Sequence, residues 1–133
     1  MKVILDTHIW VWWLLPDSPL SERERAALDR VAADQGIYLP AICQWEAQML
    51  FSKKRIELTV PFSAWIRRAA AADVLTVLPL SADTVVAVDG LPLAFHGDPA
   101  DRMIVATART YDLPLATHDE AIKKSRLVKI WKP

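Results

Sequence analysis

The chain has 133 residues, 53% of them hydrophobic, which fits one globular domain with a substantial core. Sixteen basic and sixteen acidic residues cancel, excluding a global field that draws the protein to nucleic acid or to an anionic membrane; any polyanion must be held locally. The single cysteine, Cys43, excludes an intramolecular disulfide and fits a reducing compartment, so the cytoplasm is the expected location.

From the N-terminus, MKVILDTHIWVWWLL has the lysine and apolar bias of a secretion signal, but Asp6 and His8 interrupt it. The uninterrupted run from Ile9 to Leu15 is far short of the roughly 20 residues that span a bilayer, and no membrane span is expected. Short apolar runs then alternate with longer helical patterns, as in an α/β domain with a mostly parallel sheet. In chain order the pattern predicts a strand at Val3 to Leu5, helices at Ile9 to Leu15 and Glu22 to Ala33, and a strand at Ile37 to Leu39. Helices follow at Ile42 to Lys53 and Phe62 to Ala72, then a strand at Thr76 to Leu78 and a helix at Thr84 to Leu91. The last elements are a helix at Pro99 to Tyr111, a strand at Leu115 to Thr117, a short helix after Asp119, and a fifth strand at Val128 to Trp131. Ser21 before Glu22, Arg23 and Glu24 reads as an N-cap with acids in the first turn. Pro16, Pro40, Pro79, Pro92 and Pro114 punctuate the segments, and no repeat, low-complexity tract or long linker breaks the single domain spanning residues 1–133.

Helix Ile9 to Leu15 is apolar all round and carries Trp10, Trp12 and Trp13, so it is either buried on every side or partly interfacial; the small size of the domain favours an interface. With only three glycines the chain holds neither a dinucleotide fingerprint nor a phosphate-cradling loop, and no GxSxG serine motif occurs. Cys43 reads as an inert apolar residue of a helix. His8, His96 and His118 match no zinc spacing and have no cysteine partner, so they are not assigned as ligands.

Four acids carry the chemistry: Asp6, Glu46, Asp101 and Asp119 stand where apolar patterns predict no charge, and an unpartnered buried carboxylate is expensive. Asp6 ends the first strand and either caps the next helix, as Thr7 also can, or faces a ligand at the strand exit. Glu46 falls within the stripe of Ile42, Trp45, Met49 and Leu50; a bland ion pair with Lys53 or Arg55 would have to reach two turns along the helix. In DPAD, Asp98 reads as an N-cap with Pro99 as the first helical residue, whereas Asp101 shares the face of Ile104, Val105 and Ala108. Arg102 either pairs with a carboxylate, reaches a phosphate or is solvated. Asp119, two residues beyond Thr117, is equally a helix cap or a ligand.

If the sheet brings these acids together, carboxylates about 4 Å apart repel by roughly 4 kcal/mol at an effective dielectric near 20, and three or four need a cation. All-oxygen ligation suits Mg²⁺ or Mn²⁺, and such a centre polarises a phosphodiester and activates water.

The segments ILDTHIWVWWL, LPAICQWEAQMLFSKKRIEL, LPLAFHGDPADRMIVATAR and LPLATHDEAI, with the order and spacing of the four acids, resemble the PIN-domain ribonucleases and within them the VapC-type toxins of bacterial toxin-antitoxin pairs. The resemblance implies a five-stranded parallel sheet between helices in a three-layer α/β/α sandwich, with metal-binding roles at Asp6, Glu46, Asp101 and Asp119. Asp98 matches an additional acid of the toxin pattern, and Thr7, Arg102 and Thr117 are candidate supporting or substrate contacts. It further implies Mg²⁺-dependent endonucleolytic cleavage of RNA, inhibition of translation or growth, a homodimer, and neutralisation by a cognate antitoxin. Lys53, Lys54, Arg55, Lys123, Lys124, Arg126, Lys129 and Lys132 are candidate phosphate contacts, with solvated surface cations as the alternative. Two other functions compete: a catalytically silent binding module of the same fold, and a phosphotransfer enzyme with Asp6 as nucleophile. The latter usually needs a second nearby acid, which Thr7, His8 and Ile9 do not supply.

Overall fold

The first strand, β1 (Val3–Leu5), has every side chain fully buried in the computed structural model, which describes residues 1–95 and 97–133. Successive strand side chains point to opposite faces, so a VIL strand buried throughout requires cover on both sides of the sheet. Helices supply it, giving a three-layer α/β/α sandwich. After β1 come α1 (Thr7–Leu14), α2 (Glu22–Ala33), β2 (Ile37–Pro40), α3 (Ile42–Ser52), α4 (Phe62–Ala69), β3 (Thr76–Leu78), α5 (Ala82–Asp89), α6 (Pro99–Tyr111), β4 (Leu115–Ala116) and α7 (Glu120–Ser125). The strands are parallel in the order β3-β2-β1-β4, with Ile4 beside Tyr38 on one flank and beside Leu115 on the other. The order reverses direction at β1, and in open α/β sheets the crevice at such a point is the usual ligand site. His96, set aside as a ligand above, lies outside the described residues.

The expected fifth strand at Val128 to Trp131 is a correction: among the described residues the sheet has four strands, and that segment adds only a bridge between Leu115 and Ile130. Leu115 N–H donates to Lys129 O at 2.8 Å and Trp131 N–H to Leu115 O at 2.9 Å. The ladder cannot grow toward Leu113, whose N–H is spent closing α6 on Ala108 O at 3.1 Å. Helix starts follow their caps. Asp6 accepts from Ile9 N–H and draws α1 back to Thr7, Ser81 caps α5 so that it starts at Ala82, two residues before the expected Thr84, and Ser21 with Glu24 forms a reciprocal capping box on α2. α4 stops at Ala69 rather than continuing to Ala72.

Of the three tryptophans of the first helix, two lie in the core. Trp10 is fully buried and Trp13 nearly so, each with its indole N–H satisfied: Trp10 donates to Ala69 O at 3.1 Å and Trp13 to Asp29 Oδ1 at 2.9 Å. Only Trp12 is partly exposed. The domain has room for two tryptophans because α1 lies between neighbours, with Trp65 of α4 stacked against Trp10 at 5.4 Å.

The turn from α2 into β2 depends on a missing side chain. A Cβ on Gly36 would lie 2.1 Å from Met1 O and 2.9 Å from Val31 Cγ1. Gly36→Ala is therefore expected to lower the unfolding free energy by about 1–3 kcal/mol, as overpacking does. Gly90→Ala meets only ordinary contacts at 3.6 and 3.7 Å and is expected to be neutral or stabilising by about 0.4–1 kcal/mol. Urea midpoints of the two variants measured together check both signs.

Candidate active site

Parallel pairing of Leu5 with Ala116 carries the next residues, Asp6 and Thr117, to the same edge of the sheet. Asp6 is 7% exposed and uses both carboxylate oxygens: Oδ1 accepts from Ile9 N–H at 2.9 Å and Oδ2 from the Thr117 hydroxyl at 2.5 Å. Thr117 Oγ1 in turn accepts from Asp119 N–H at 3.0 Å. Burial pushes the Asp6 carboxyl above its ordinary value; the Thr117 and Ile9 hydrogen bonds and His8 oppose this, and Asp119 adds to it.

Glu46 arrives from α3. The stripe expected there is corrected: Trp45 is 54% exposed, and the buried face consists of Cys43 and Ala47. Small residues let α3 lie close to the sheet, with Cys43 Sγ 3.9 Å from Leu5 O. Glu46 flanks that face, half-buried, and accepts from the Thr7 hydroxyl. No ion pair joins it to Lys53 or Arg55 among the described residues.

Asp98 caps α6, as expected, accepting from Ala100 and Asp101 N–H at 2.9 and 3.1 Å. Asp101 is half-buried in the first turn, on the helix face that buries Ile104, Val105 and Ala108. Its pKa rises from 3.8 to about 7, first through burial and then through the charges of Asp98, Asp119, Glu46 and Asp6. Asp119 caps α7, Oδ1 accepting from Ile122 N–H at 2.9 Å, so capping and site placement coincide there.

Asp6, Glu46, Asp101 and Asp119, with Thr7 and Asp98, line one cleft of about 390 Å³ at the strand exits. A larger cleft of about 550 Å³ shares His118 with it, but Glu24 is its only acid among the described residues. Donor chemistry, not volume, therefore marks the smaller cleft as the candidate site. Among the described residues no three of the His, Cys, Asp and Glu side chains already stand as a ready-made metal cage. Hydroxyls and helix N–H groups hold the carboxylates instead: Thr7 on Glu46, Thr117 and Ile9 on Asp6, Ile122 on Asp119.

Arg102 takes no part in the cleft. Its guanidinium donates to Phe95 O at 3.2 Å and lies over the Phe95 ring, so it braces the loop before α6. Cys43 lies beneath the acids, fully buried; burial, then the charges of Asp6, Glu46 and Asp101, push its thiol well above the ordinary value, consistent with an inert residue. The rim was missed from sequence: His8, Trp12 and His118 also line the cleft. Trp12 packs at a tilt against both imidazoles, with ring centroids 5.4 Å apart, and His118 Nε2 lies 2.5 Å from Glu24 Oε2. Burial pushes Glu24 up, but the bonds to His118 and Ser21 outweigh it and hold the carboxyl below its ordinary value. The legible part of that rim was the i, i+4 spacing of His8 and Trp12. The Glu24 partnership joins residues 94 positions apart and leaves no local trace.

Residues 3–126 match the family described as PIN domain. The chain is similar to Ribonuclease VapC22 of Mycobacterium tuberculosis, 34% identical over 125 residues that cover 93% of this chain and 92% of that protein. FitAB bound to the IR36 DNA fragment has a similar fold, with a TM-score of 0.72 at 22% identity over 98% of this chain and 94% of that one. FitAcB from Neisseria gonorrhoeae gives 0.68 at 21% over 98% and 97%, and VapBC2 from Rickettsia felis, bound to a DNA fragment from its promoter, gives 0.73 at 15% over 99% and 100%. A family match over nearly the whole chain and a relative at 34% identity lead to one assignment: the chain belongs to the PIN-domain family.

Proposed function

We propose that this chain is a divalent-metal-dependent endoribonuclease, the toxin of a toxin-antitoxin pair, which hydrolyses RNA phosphodiester bonds and so inhibits translation or growth. The observation that carries the reading is the convergence of Asp6, Glu46, Asp101 and Asp119 on one cleft at the strand exits. Similarity to a ribonuclease over most of its length supports nuclease chemistry. The VapC-type resemblance supports a cognate antitoxin, a homodimer and a cytoplasmic setting; no described helix is long and apolar enough to cross a membrane.

The donor set fits Mg²⁺ or Mn²⁺. It is all oxygen, and the repulsion that helps lift Asp101 to about 7 is relieved by a cation. Asp6, Glu46, Asp101 and Asp119 are the residues that would hold the ion. The ion supplies Lewis acidity toward a phosphodiester and toward water. The chain's own residues orient and charge the site: Thr117 fixes Asp6 Oδ2, Thr7 fixes Glu46 Oε1, and the first-turn amides of α6 hold Asp98 so that Asp101 faces the cleft.

Asp6 is a poor phosphoryl acceptor, because both its oxygens already accept hydrogen bonds and it is nearly buried. The silent binding module has one observation in its favour, the lack of a ready-made cage among the described residues. It predicts no metal-dependent cleavage and an unchanged biological effect when the acids are replaced.

Three outcomes are expected. Purified protein cleaves RNA with Mg²⁺ or Mn²⁺, stops with a chelator, and falls to background as Asp6→Asn or Asp101→Asn; full activity in both variants would defeat the assignment. Thr117→Val, which frees Asp6 Oδ2 without removing a donor to the ion, costs about 10–100-fold in activity or in metal affinity, read from a Mg²⁺ titration of the cleavage rate. Asp101 binds its proton more tightly folded, near 7, than at its ordinary 3.8, so metal-free stability falls as pH rises between those values. Asp101→Asn removes that loss. Its Tm in chelator should exceed the parent's at pH 8, with the gain shrinking toward pH 4, and a gain that grows on acidification contradicts the electrostatic account.

A further inference from the structure

An all-acid cleft holds no RNA by itself. Among the described residues no lysine or arginine lines it, and the chain's net charge is zero, so phosphate binding must come from a neighbouring surface. The structure sorts the candidate cations. Arg126 and Lys129 line a separate cleft with Asp112, the C-cap of α6, and Lys129 lies 3.8 Å from the Asp112 carboxylate. Asp101 stands in the first turn of that same 13-residue helix, and at about 1.5 Å per residue the two ends are roughly 20 Å apart. Lys53, Lys54 and Arg55 follow the far end of α3, beyond Glu46. Lys123 and Lys132 differ: both line the cleft of about 550 Å³ that shares His118 with the acidic one.

Resting on the ribonuclease reading, we propose that this adjoining cleft is the binding subsite for an unpaired nucleotide next to the cleaved bond. Lys123 and Lys132 neutralise its phosphate, and the exposed His118 ring, backed by Trp12, offers a face to its base. The volume falls within the roughly 300–1,000 Å³ of ordinary small-molecule sites. Glu24, the only acid lining this cleft among the described residues, is already engaged, and Glu120 lies outside the lining. Glu24 is tied to His118 and to Ser21 N–H, and Glu120 lies 3.9 Å from Lys123 in a solvent-exposed pair. Thr117 is the physical link, since its hydroxyl holds Asp6 on one side while the residue lines the subsite on the other.

The test uses the full chain with Mg²⁺ and a short unpaired RNA oligonucleotide. Lys123→Gln combined with Lys132→Gln should raise KM by about 10-fold with kcat unchanged. It should also flatten the dependence of log(kcat/KM) on log[salt] by about 1.4, two contacts at roughly 0.7 each for a single strand. The charge-matched pair Lys2→Gln and Arg67→Gln, neither of which lines either cleft, should change neither. Kd for the same RNA, measured by fluorescence anisotropy in chelator, repeats the comparison without cleavage. A parent chain that binds RNA but does not cut it sinks the nuclease reading alone. An unchanged KM, Kd and salt slope in the Lys123/Lys132 variant, or an equal loss in the control pair, overturns the subsite.

Discussion

The pairing of β1 with β4 is the constraint on which the site depends. Neither strand has sequence continuity with the other; their register, Ile4 with Leu115 and Leu5 with Ala116, alone sets Asp6 beside Thr117. A one-residue slip would turn every β4 side chain to the opposite face and take the Thr117 hydroxyl away from Asp6. The buried VIL of β1 and the two-residue β4 protect against that slip, because both have apolar partners on each side of the sheet.

That arrangement explains how acids survive at the end of an apolar sheet. Asp6, Asp98 and Asp119 are each the N-cap of a helix, so α1, α6 and α7 all begin at the cleft. Helix N-termini carry partial positive charge and unsatisfied N–H groups, which offset part of the cost of the carboxylates. Asp101 and Glu46 are not caps, and the residual repulsion gathers on Asp101. Capping and ligation were posed as alternatives from sequence; Asp6 and Asp119 each cap a helix and also line the cleft, so capping does not take either side chain away from the site.

Much of this was legible along the chain. The strands at β1, β2 and β3, the N-cap at Ser21, the DPAD start of α6 and the burial of Ile104, Val105 and Ala108 follow from local pattern. The apolar rule failed where packing chose among apolar faces. On α3 the close approach to Leu5 selected Cys43 and Ala47 over the larger Trp45, and around α1 the neighbouring helices buried Trp10 and Trp13. The fifth strand failed for a hydrogen-bonding reason, since Leu113 closes α6 and is unavailable to a ladder. The convergence of the acids on one cleft was inferred by supposing the strand neighbours. The His118–Glu24 contact and the sharing of His118 between two clefts depend on tertiary geometry and had no signal to read.

Cys43, the chain's one thiol, has a practical consequence as a reporter. It is fully sealed between α3 and Leu5, directly below the acids, and its neighbours disfavour the thiolate. A thiol reagent reaches it only when α3 lifts from β1, so the labelling rate of the native chain times local opening of the floor of the site, separately from global unfolding. A cation among the acids would act on that clock in two opposed ways, slowing it by holding α3 down and quickening it by relieving the negative field on the thiol. The pH dependence of labelling then separates mechanical closure from electrostatics at a position that contributes to neither binding nor chemistry.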